Sequence, residues 1–196
     1  DDPDALLFDT NRVWTTRLAA LTQLFPEARM ICCVRNPAWI VDSIESLIRR
    51  NPFELSGIFS FEPGGTVYSR ADGLTGANGM VGFALSGLRE AVYGPHADRV
   101  LLVRYDSLVA DPNAALAAIY DFVGEPAGAH DPENIEPCYD MVEFDYRMGT
   151  PGLHDVRRRV RARERKPILP PDLFERFSNL AFWEERDQLP DAVRMV

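Results

Sequence analysis

The chain has 196 residues, of which 46% are hydrophobic and 26% charged, a composition typical of one globular domain rather than of a disordered polypeptide. Its net charge of −9 argues against general binding of nucleic acid. No apolar run approaches the roughly 20 residues that a membrane helix needs, and the first residues carry no secretory signal, so we expect no membrane span.

The first predicted elements are a strand and a helix. Ala5–Phe8 is a short apolar run that indicates a buried strand. Asp9, Thr10 and Asn11 can cap a helix, and apolar residues at helical spacing then predict an amphipathic helix over Arg12–Leu24. Pro26 ends it.

The next two elements are the clearest in the chain. Met30–Val34 is a continuous apolar run, as expected of a central parallel strand that is covered on both faces. Arg35 follows, and then Asn36 can cap a helix that Pro37 begins. An apolar stripe predicts that this helix continues to about Arg49.

The middle of the chain is less regular. Residues 51–76 are rich in Gly, Pro, Ser and Phe, which indicates an irregular excursion. A helix is predicted over Gly79–Tyr93, and the apolar run Val100–Tyr105 predicts a second strong strand. A helix should follow from Asp106 or Ser107 and Asp111, with Gly124 as its C-terminal cap.

Residues 125–170 hold few clear elements, and Pro170-Pro171-Asp172 opens a final helix that extends through Trp183. Strands that alternate with helices, without an internal repeat or a linker, predict one α/β domain over residues 1–196, built on a parallel sheet flanked by helices.

The three cysteines are Cys32, Cys33 and Cys138. The first two are adjacent within an apolar run, and no CxxC spacing occurs. This arrangement favours buried thiols in a reducing compartment over disulfides or a zinc site. We therefore expect a cytoplasmic protein.

Ligands of parallel α/β sheets bind beyond the carboxyl ends of the strands. The residues there are Asp9–Arg12, Arg35–Pro37 and Tyr105–Ser107. Arg35 faces the beginning of a helix, and Ser43 lies eight residues further on that helix, so both can approach one anion. An ordinary surface ion pair of Arg35 is an equally good interpretation.

A basic segment lies near the carboxyl end of the chain, at residues 150–166. Arg157–Lys166 holds seven positive residues and one acid, Glu164. A local positive patch on an acidic protein suits a small anionic ligand, and the alternative is a solvated helix face.

Three blocks of this sequence resemble the PAPS-dependent sulfotransferase family, in its bacterial branch. VRNPAWIVDSIESLI resembles the family's 3′-phosphate-binding segment, and LTQLFPEARMICCVRNP its lead-in. VLLVRYDSLVADPNAALAAIYDFVGEP resembles the family's later strand and helix. The three occur in the expected order and spacing, over about residues 8–51 and 100–126.

The resemblance implies a fold related to P-loop kinases and a sulfuryl transfer from PAPS to a hydroxyl acceptor, with PAP as product and no metal. It implies that Arg35 and Ser43 bind the 3′-phosphate. In the family a late basic loop wraps the same phosphate, and here Gly152 with Arg157 and Arg158 is the natural candidate. The acceptor is expected to be a small-molecule or carrier-tethered hydroxyl compound.

The sequence departs from the family in one respect above all. Members begin with a strand and a phosphate loop for the 5′-phosphosulfate, and no such loop is found here. Glu62–Thr66 is Gly-rich but follows no strand, so we interpret it as a turn. We expect the first strand and phosphate loop to be missing from this chain. Two alternatives stay open: a small-molecule kinase of similar fold, and a non-catalytic nucleotide-binding module.

The general base is the second departure. Many members place Lys-Thr-His where this chain has Asp9-Thr10-Asn11, and Asn11 cannot act as a base. Asp9 could serve if buried, Arg12 could stabilise the sulfuryl group, and His154 is the histidine nearest the basic segment. Asp9 and Asn11 could equally be helix caps. The aromatic residues of 53–76 could line an acceptor pocket or form a small core of their own.

Overall fold

The computed structural model describes residues 6–54, 56–59, 65–137, 140–162 and 164–196. They form a parallel sheet of three strands in the order β1 (Met30–Val34), β2 (Val100–Arg104) and β3 (Arg194–Met195). The predicted α/β architecture is confirmed. However, β2 rather than β1 is the central strand of the sheet that these residues form, because β1 pairs only with β2 there.

Helices cover the sheet and connect its strands. In the described ranges the α-helices are α1 (Leu18–Leu24), α2 (Pro37–Arg50), α3 (Val67–Thr75), α4 (Met80–Tyr93), α5 (Tyr105–Ala110), α6 (Pro112–Val123), α7 (Val142–Arg147) and α8 (Pro171–Ser178). Short 3₁₀ turns lie at Arg12–Thr16, Ala97–Arg99, Phe182–Glu184 and Arg186–Gln188.

The caps that the sequence predicted for α2 and α6 are present. The Asn36 side chain accepts a hydrogen bond from the Ala38 amide at 3.0 Å, and Pro37 is the first residue of α2. Asp111 accepts from the Ala114 amide at the start of α6, and Gly124 ends this helix with a φ of 83°.

The core has three parts, and α2 belongs to the one away from the sheet. One face of the sheet packs Cys32, Val100 and Leu102 against α4 and Trp183. The other face packs Leu101 and Val103 against Phe122 of α6. The third cluster joins α2 to α3, α4 and α8 through Val41, Ile44, Leu74, Val81, Leu173 and Phe177. Helices on several sides therefore hold α2 in place relative to the strand ends.

Two predictions for the beginning of the chain were wrong. Leu6–Phe8 is not a strand: these residues make no ladder pairing and are exposed, with Leu7 at 87%. Residue 5 lies outside the described residues. The helix predicted over Arg12–Leu24 is interrupted at Arg17, because the hydroxyls of Thr15 and Thr16 bond back to carbonyls three residues earlier.

Four other boundaries also differ. Residues 51–76 are not irregular throughout, because Thr66 and Ser69 form a capping box that begins α3. Tyr105 begins α5 instead of ending a strand. The final helix ends at Ser178, and Phe182–Glu184 is a separate 3₁₀ turn. The strand β3 was not predicted, since two residues are too short for any alternation to show.

The thiol prediction is right for Cys32, which is buried, and wrong for Cys33, which is exposed; both are free. Cys138 lies outside the described residues. In the parts of the chain that the structure describes, no helix has the length and apolar character needed to cross a membrane.

Candidate anion-binding site

Arg35 lies at the carboxyl edge of the sheet, immediately after β1. The register pairs Val34 with Arg104, so Arg35 and Tyr105 leave neighbouring strands at the same level. The Arg35 guanidinium lies over the Tyr105 ring, 4.2 Å from its centroid. This cation–π contact aligns a half-buried positive charge where ligands of parallel sheets bind.

Ser43 lies on α2, and its partner is an arginine that the sequence did not single out. Arg165 Nη1 donates to Ser43 Oγ at 2.8 Å, across 122 residues of chain. The other end of the same guanidinium, Nη2, donates to the carboxylate of Asp42 at 2.6 Å. The fork of Arg165 is therefore held at two points on α2.

Arg35 and Arg165 lie close enough to influence each other's charge. Burial lowers the pKa of Arg35, and the positive charge of Arg165 lowers it further. Tyr105 and the carboxylates of Asp106 and Asp42 oppose this shift. Arg165 is hydrogen-bonded to Ser43 and its charge acts on Arg35, and we refer to these three residues as the Arg35–Ser43–Arg165 cluster.

A cavity of about 540 Å³ opens beside this cluster, lined by Trp39, Glu164, Arg165 and Lys166. The Arg165 guanidinium lies 5.6 Å from the centroid of the Trp39 ring, and Phe174 packs edge-on against the same ring at 4.9 Å. Trp39 precedes Ser43 by four residues, so both face the same side of α2. The cavity offers an aromatic wall and two cations.

The structure places the predicted late-loop residues away from this cluster. Arg157 and Arg158 are exposed, and the backbone of their segment bonds to the loop at 132–135: Ile135 N donates to the Arg158 carbonyl at 2.7 Å. Gly152 occupies a tight turn with a φ of 81°. No contact in the described residues joins any of these three to Arg35 or Ser43.

His154 has a buried partner. Its Nδ1 lies 2.5 Å from the carboxylate of Asp145, and its backbone amide donates to the same carboxylate at 2.9 Å. Burial acts to raise the pKa of Asp145, but the hydrogen bonds from His154 outweigh it and the pKa is lowered. The imidazole is 41% exposed, and Nδ1 is engaged, so Nε2 is the nitrogen open to other partners.

The loop that carries His154 contacts the far end of α2. Asn51, which follows the last residue of α2, donates to the Pro151 carbonyl at 3.5 Å. Arg35 precedes the first residue of the same helix, whose 14 residues span about 21 Å. His154 and Arg35 therefore belong to regions at opposite ends of α2.

Asn11 caps the first 3₁₀ turn, as the alternative to catalysis predicted, whereas Asp9 bonds to a side chain and not to the backbone. Asn11 accepts from the Val13 amide at 3.0 Å, and Asp9 accepts from the indole N–H of Trp14 at 2.7 Å. Asp9 and Arg12 are both exposed. The burial on which a role for Asp9 as base depended is absent.

The aromatic residues of 53–76 do not converge on one pocket. Phe53 is 97% exposed, whereas Phe59 packs against the cluster around α2, α3 and α8. Tyr68 donates to Asp172 at 3.2 Å. Phe61 and the Gly-rich turn at 62–64 lie outside the described residues. Within the described ranges, no group of three or more His, Cys, Asp or Glu could hold a metal ion.

Arg165, Asp42 and Trp39 are the site residues that sequence reasoning missed. Trp39 precedes Ser43 by four residues, so helical spacing from Ser43 could have indicated it, whereas Asp42 directly precedes Ser43 and such spacing gives no signal for it. No comparable signal was available for Arg165, since it lies in a run of seven positive residues whose members look alike.

Arg35 at the carboxyl edge of a parallel α/β sheet, together with the hydrogen-bonded pair of Arg165 and Ser43, makes this region a candidate site for a phosphate-like anion. The model of the sulfotransferase family matches residues 1–129, about two thirds of the chain. The chain therefore belongs to the sulfotransferase family, whose general reaction is sulfuryl transfer. The match includes Arg35 and Ser43 and ends before His154 and Arg165. No curated protein and no solved structure gave a significant match.

Proposed function

We propose that this protein moves a sulfuryl group from PAPS to a hydroxyl acceptor, and that the Arg35–Ser43–Arg165 cluster binds the 3′-phosphate of the nucleotide. The observation that carries the proposal is the hydrogen bond from Arg165 to Ser43 beside Arg35. Two guanidiniums and a hydroxyl are strong donors to a phosphate dianion. They lie where a parallel sheet binds its ligands.

Arg165 takes the role that the resemblance assigned to a late basic loop. It contacts Ser43, whereas Gly152, Arg157 and Arg158 show no such contact among the residues that the structure describes. Lys166 lines the same cavity and adds a second cation at its mouth. The base of the nucleotide would lie in this cavity, against Trp39.

PAP binding measured by calorimetry tests the proposal. Arg35→Ala and Arg165→Ala should each weaken binding by about 10- to 100-fold, because each removes a charge-assisted hydrogen bond to the phosphate. Arg50→Ala is the matched control: Arg50 is exposed at the end of α2 and bonds to the Ser46 carbonyl. Unchanged affinity in Arg35→Ala, or equal losses in all three variants, would defeat the assignment. Binding of ATP with Mg²⁺ in preference to PAP would favour the kinase alternative.

We further propose that His154 is the general base. PAPS, when bound, supplies the sulfuryl group, which passes to the acceptor oxygen as its bond to the leaving phosphate oxygen breaks. The acceptor loses a proton in this step, and Nε2 of His154 can take it while Asp145 holds Nδ1. The reacting sulfur and the 3′-phosphate are carried by the same ribose, so this role requires the loop that carries His154 to approach the nucleotide along α2 when PAPS binds.

His154→Gln tests this role with PAPS as the sulfuryl donor and 2-naphthol as the acceptor, whose hydroxyl has to lose its proton in the transfer. The variant should lose at least about 100-fold in kcat and keep the wild-type affinity for PAP. His130→Gln is the control, since His130 stacks on Tyr120 in a separate loop. An unchanged kcat in His154→Gln contradicts the assignment. The acceptor in the cell is proposed to be a small-molecule or carrier-tethered alcohol in the cytoplasm.

A further inference from the structure

Asp42 is a carboxylate with no exposed surface, and three hydrogen bonds from one segment end on it. Arg165 Nη2 donates at 2.6 Å, the Ile168 amide at 2.6 Å and the Leu169 amide at 3.1 Å. All three donors belong to residues 165–169, which have no regular secondary structure. The position of this segment on α2 therefore depends on one side chain.

These bonds determine where the Arg165 guanidinium points. Asp42 holds Nη2, and the neighbouring Ser43 receives Nη1 at 2.8 Å. The Arg165 side chain is 32% exposed, so without the carboxylate it would be free to turn into solvent. Leu169, which is buried in the core of α2 and α8, anchors the end of the segment but not its beginning.

Asp42 also offsets a repulsion. The positive charge of Arg165 disfavours the charged form of Arg35, and the negative charge of Asp42 acts in the opposite direction. Asp42 is bonded directly to Arg165, so it partly compensates this repulsion before any anion binds. Its negative charge also repels a phosphate, so its net effect on phosphate binding depends on which contribution is larger.

We propose that Asp42 is a positioning residue for the nucleotide site: it fixes residues 165–169 against α2, so that Arg165 is held on Ser43 and can bind a phosphate together with Arg35. This inference rests on the proposed binding of PAP. The alternative is that Asp42 has only a structural role, and Glu45, a second buried carboxylate of α2, serves as the control. Glu45 is also buried, and it is paired with Arg70 and Arg49 instead of with the site.

The experiment is a double-mutant cycle read by PAP calorimetry and thermal unfolding of the full chain. Asp42→Asn keeps the shape and removes the charge, and it should weaken PAP binding by about 10-fold. In an Arg165→Met background the same substitution should not weaken binding further, because the residue through which it acts is gone. Glu45→Gln should lower the Tm and leave the Kd for PAP unchanged.

Each result decides the matter. Tighter or unchanged binding of PAP in Asp42→Asn would mean that the repulsion between Asp42 and the phosphate is at least as large as the benefit of positioning Arg165, and this result overturns the inference. An equal loss in the presence and absence of Arg165 overturns it as well. Arg165→Lys covers the case in which Asp42→Asn does not fold: it keeps the charge but cannot span Asp42 and Ser43, so wild-type affinity there refutes the role of the fork. If the wild type does not bind PAP, the proposed function itself is refuted. If the wild type binds PAP and Asp42→Asn binds it equally well, only the positioning role of Asp42 is refuted.

Discussion

The contact between Arg35 and Tyr105 leads to a prediction about the nucleotide site. Tyr105→Leu removes the ring on which the guanidinium lies at 4.2 Å and leaves a side chain of similar bulk. Tyr105→Phe keeps the ring and removes only the hydroxyl. If the ring face holds Arg35 in place, the leucine variant should bind PAP more weakly and the phenylalanine variant should not.

The magnitude follows from the geometry. A cation–π contact contributes about 0.5–1 kcal/mol when exposed and about 2 kcal/mol when desolvated. Arg35 and Tyr105 are both half-buried, which places this contact between those limits, at about 1 kcal/mol. The Kd for PAP should therefore rise by about 5-fold in Tyr105→Leu, and by less than about 2-fold in Tyr105→Phe.

Calorimetric titration with PAP measures both values, and thermal unfolding shows whether each variant is folded. Tyr93→Leu is the matched control, because Tyr93 is a half-exposed tyrosine that packs against Phe182 at 5.8 Å, away from the cluster. Equal weakening in Tyr105→Leu and Tyr105→Phe would show that the hydroxyl matters instead of the ring. Wild-type affinity in Tyr105→Leu would refute the reasoning altogether.

Three further predictions concern stability. Arg70→Met should lower the free energy of unfolding by about 2 kcal/mol, since the buried Glu45 carboxylate keeps only its bond from Arg49. Arg49→Met, whose side chain is 50% exposed, should cost less than about 1 kcal/mol in urea unfolding, and equal costs contradict this. Burial acts to raise the pKa of Glu45, but the two arginines outweigh burial, so the pKa of Glu45 in the folded protein is lowered. The ionised carboxylate therefore stabilises the fold fully above the unfolded pKa of about 4.3, and this stabilisation is lost as the pH falls through the lower pKa of the folded state. Glu45→Gln should accordingly flatten the acid limb of a pH–Tm profile, and an unchanged limb would count against it. Gly124→Ala should cost about 1 kcal/mol, because nothing crowds an added methyl but the φ of 83° disfavours it, and an unchanged Tm would show that the turn adapts.

The elements that the sequence predicted well are those whose signals are local. Met30–Val34 is long enough and apolar enough to be recognised without knowing its neighbours, and α2 carries its own start signal in Asn36 and Pro37. Gly124 could likewise be predicted as the cap of α6, because the residue that ends a helix often has a left-handed backbone conformation that glycine adopts most easily.

The elements that were missed depend on partners elsewhere in the chain. Arg194–Met195 is a strand only because Leu101 and Leu102 of β2 offer a free edge to it. The beginning of α3 did carry a local signal, the Thr66-to-Ser69 spacing, but Ser is a weaker capping-box partner than Glu or Gln. Leu6–Phe8 shows the converse, since an apolar run alone does not make a strand.

The candidate site shows the same contrast between local signals and contacts with distant parts of the chain. Arg35 and Ser43 were paired because a strand end and two helical turns fix their separation, and this pairing stays a prediction. Arg157 and Arg158 were assigned by the resemblance to a late basic loop, and the backbone of their segment bonds to residues 132–135. Density of charge in a sequence does not indicate proximity in the fold. Arg165 is distinguished from its neighbours by a buried carboxylate more than 120 residues away, and no pattern in the sequence records that contact.

The acidity of the chain explains why such an arrangement is useful. With a net charge of −9, the protein repels anions over most of its surface, and exposed arginines in salt contribute little beyond a Debye length of about 8 Å. A phosphate site must therefore depend on where a few cations are held and not on overall charge. Half-burial of Arg35 strengthens its pull on an entering anion, and a buried acid lets a second guanidinium stand beside it.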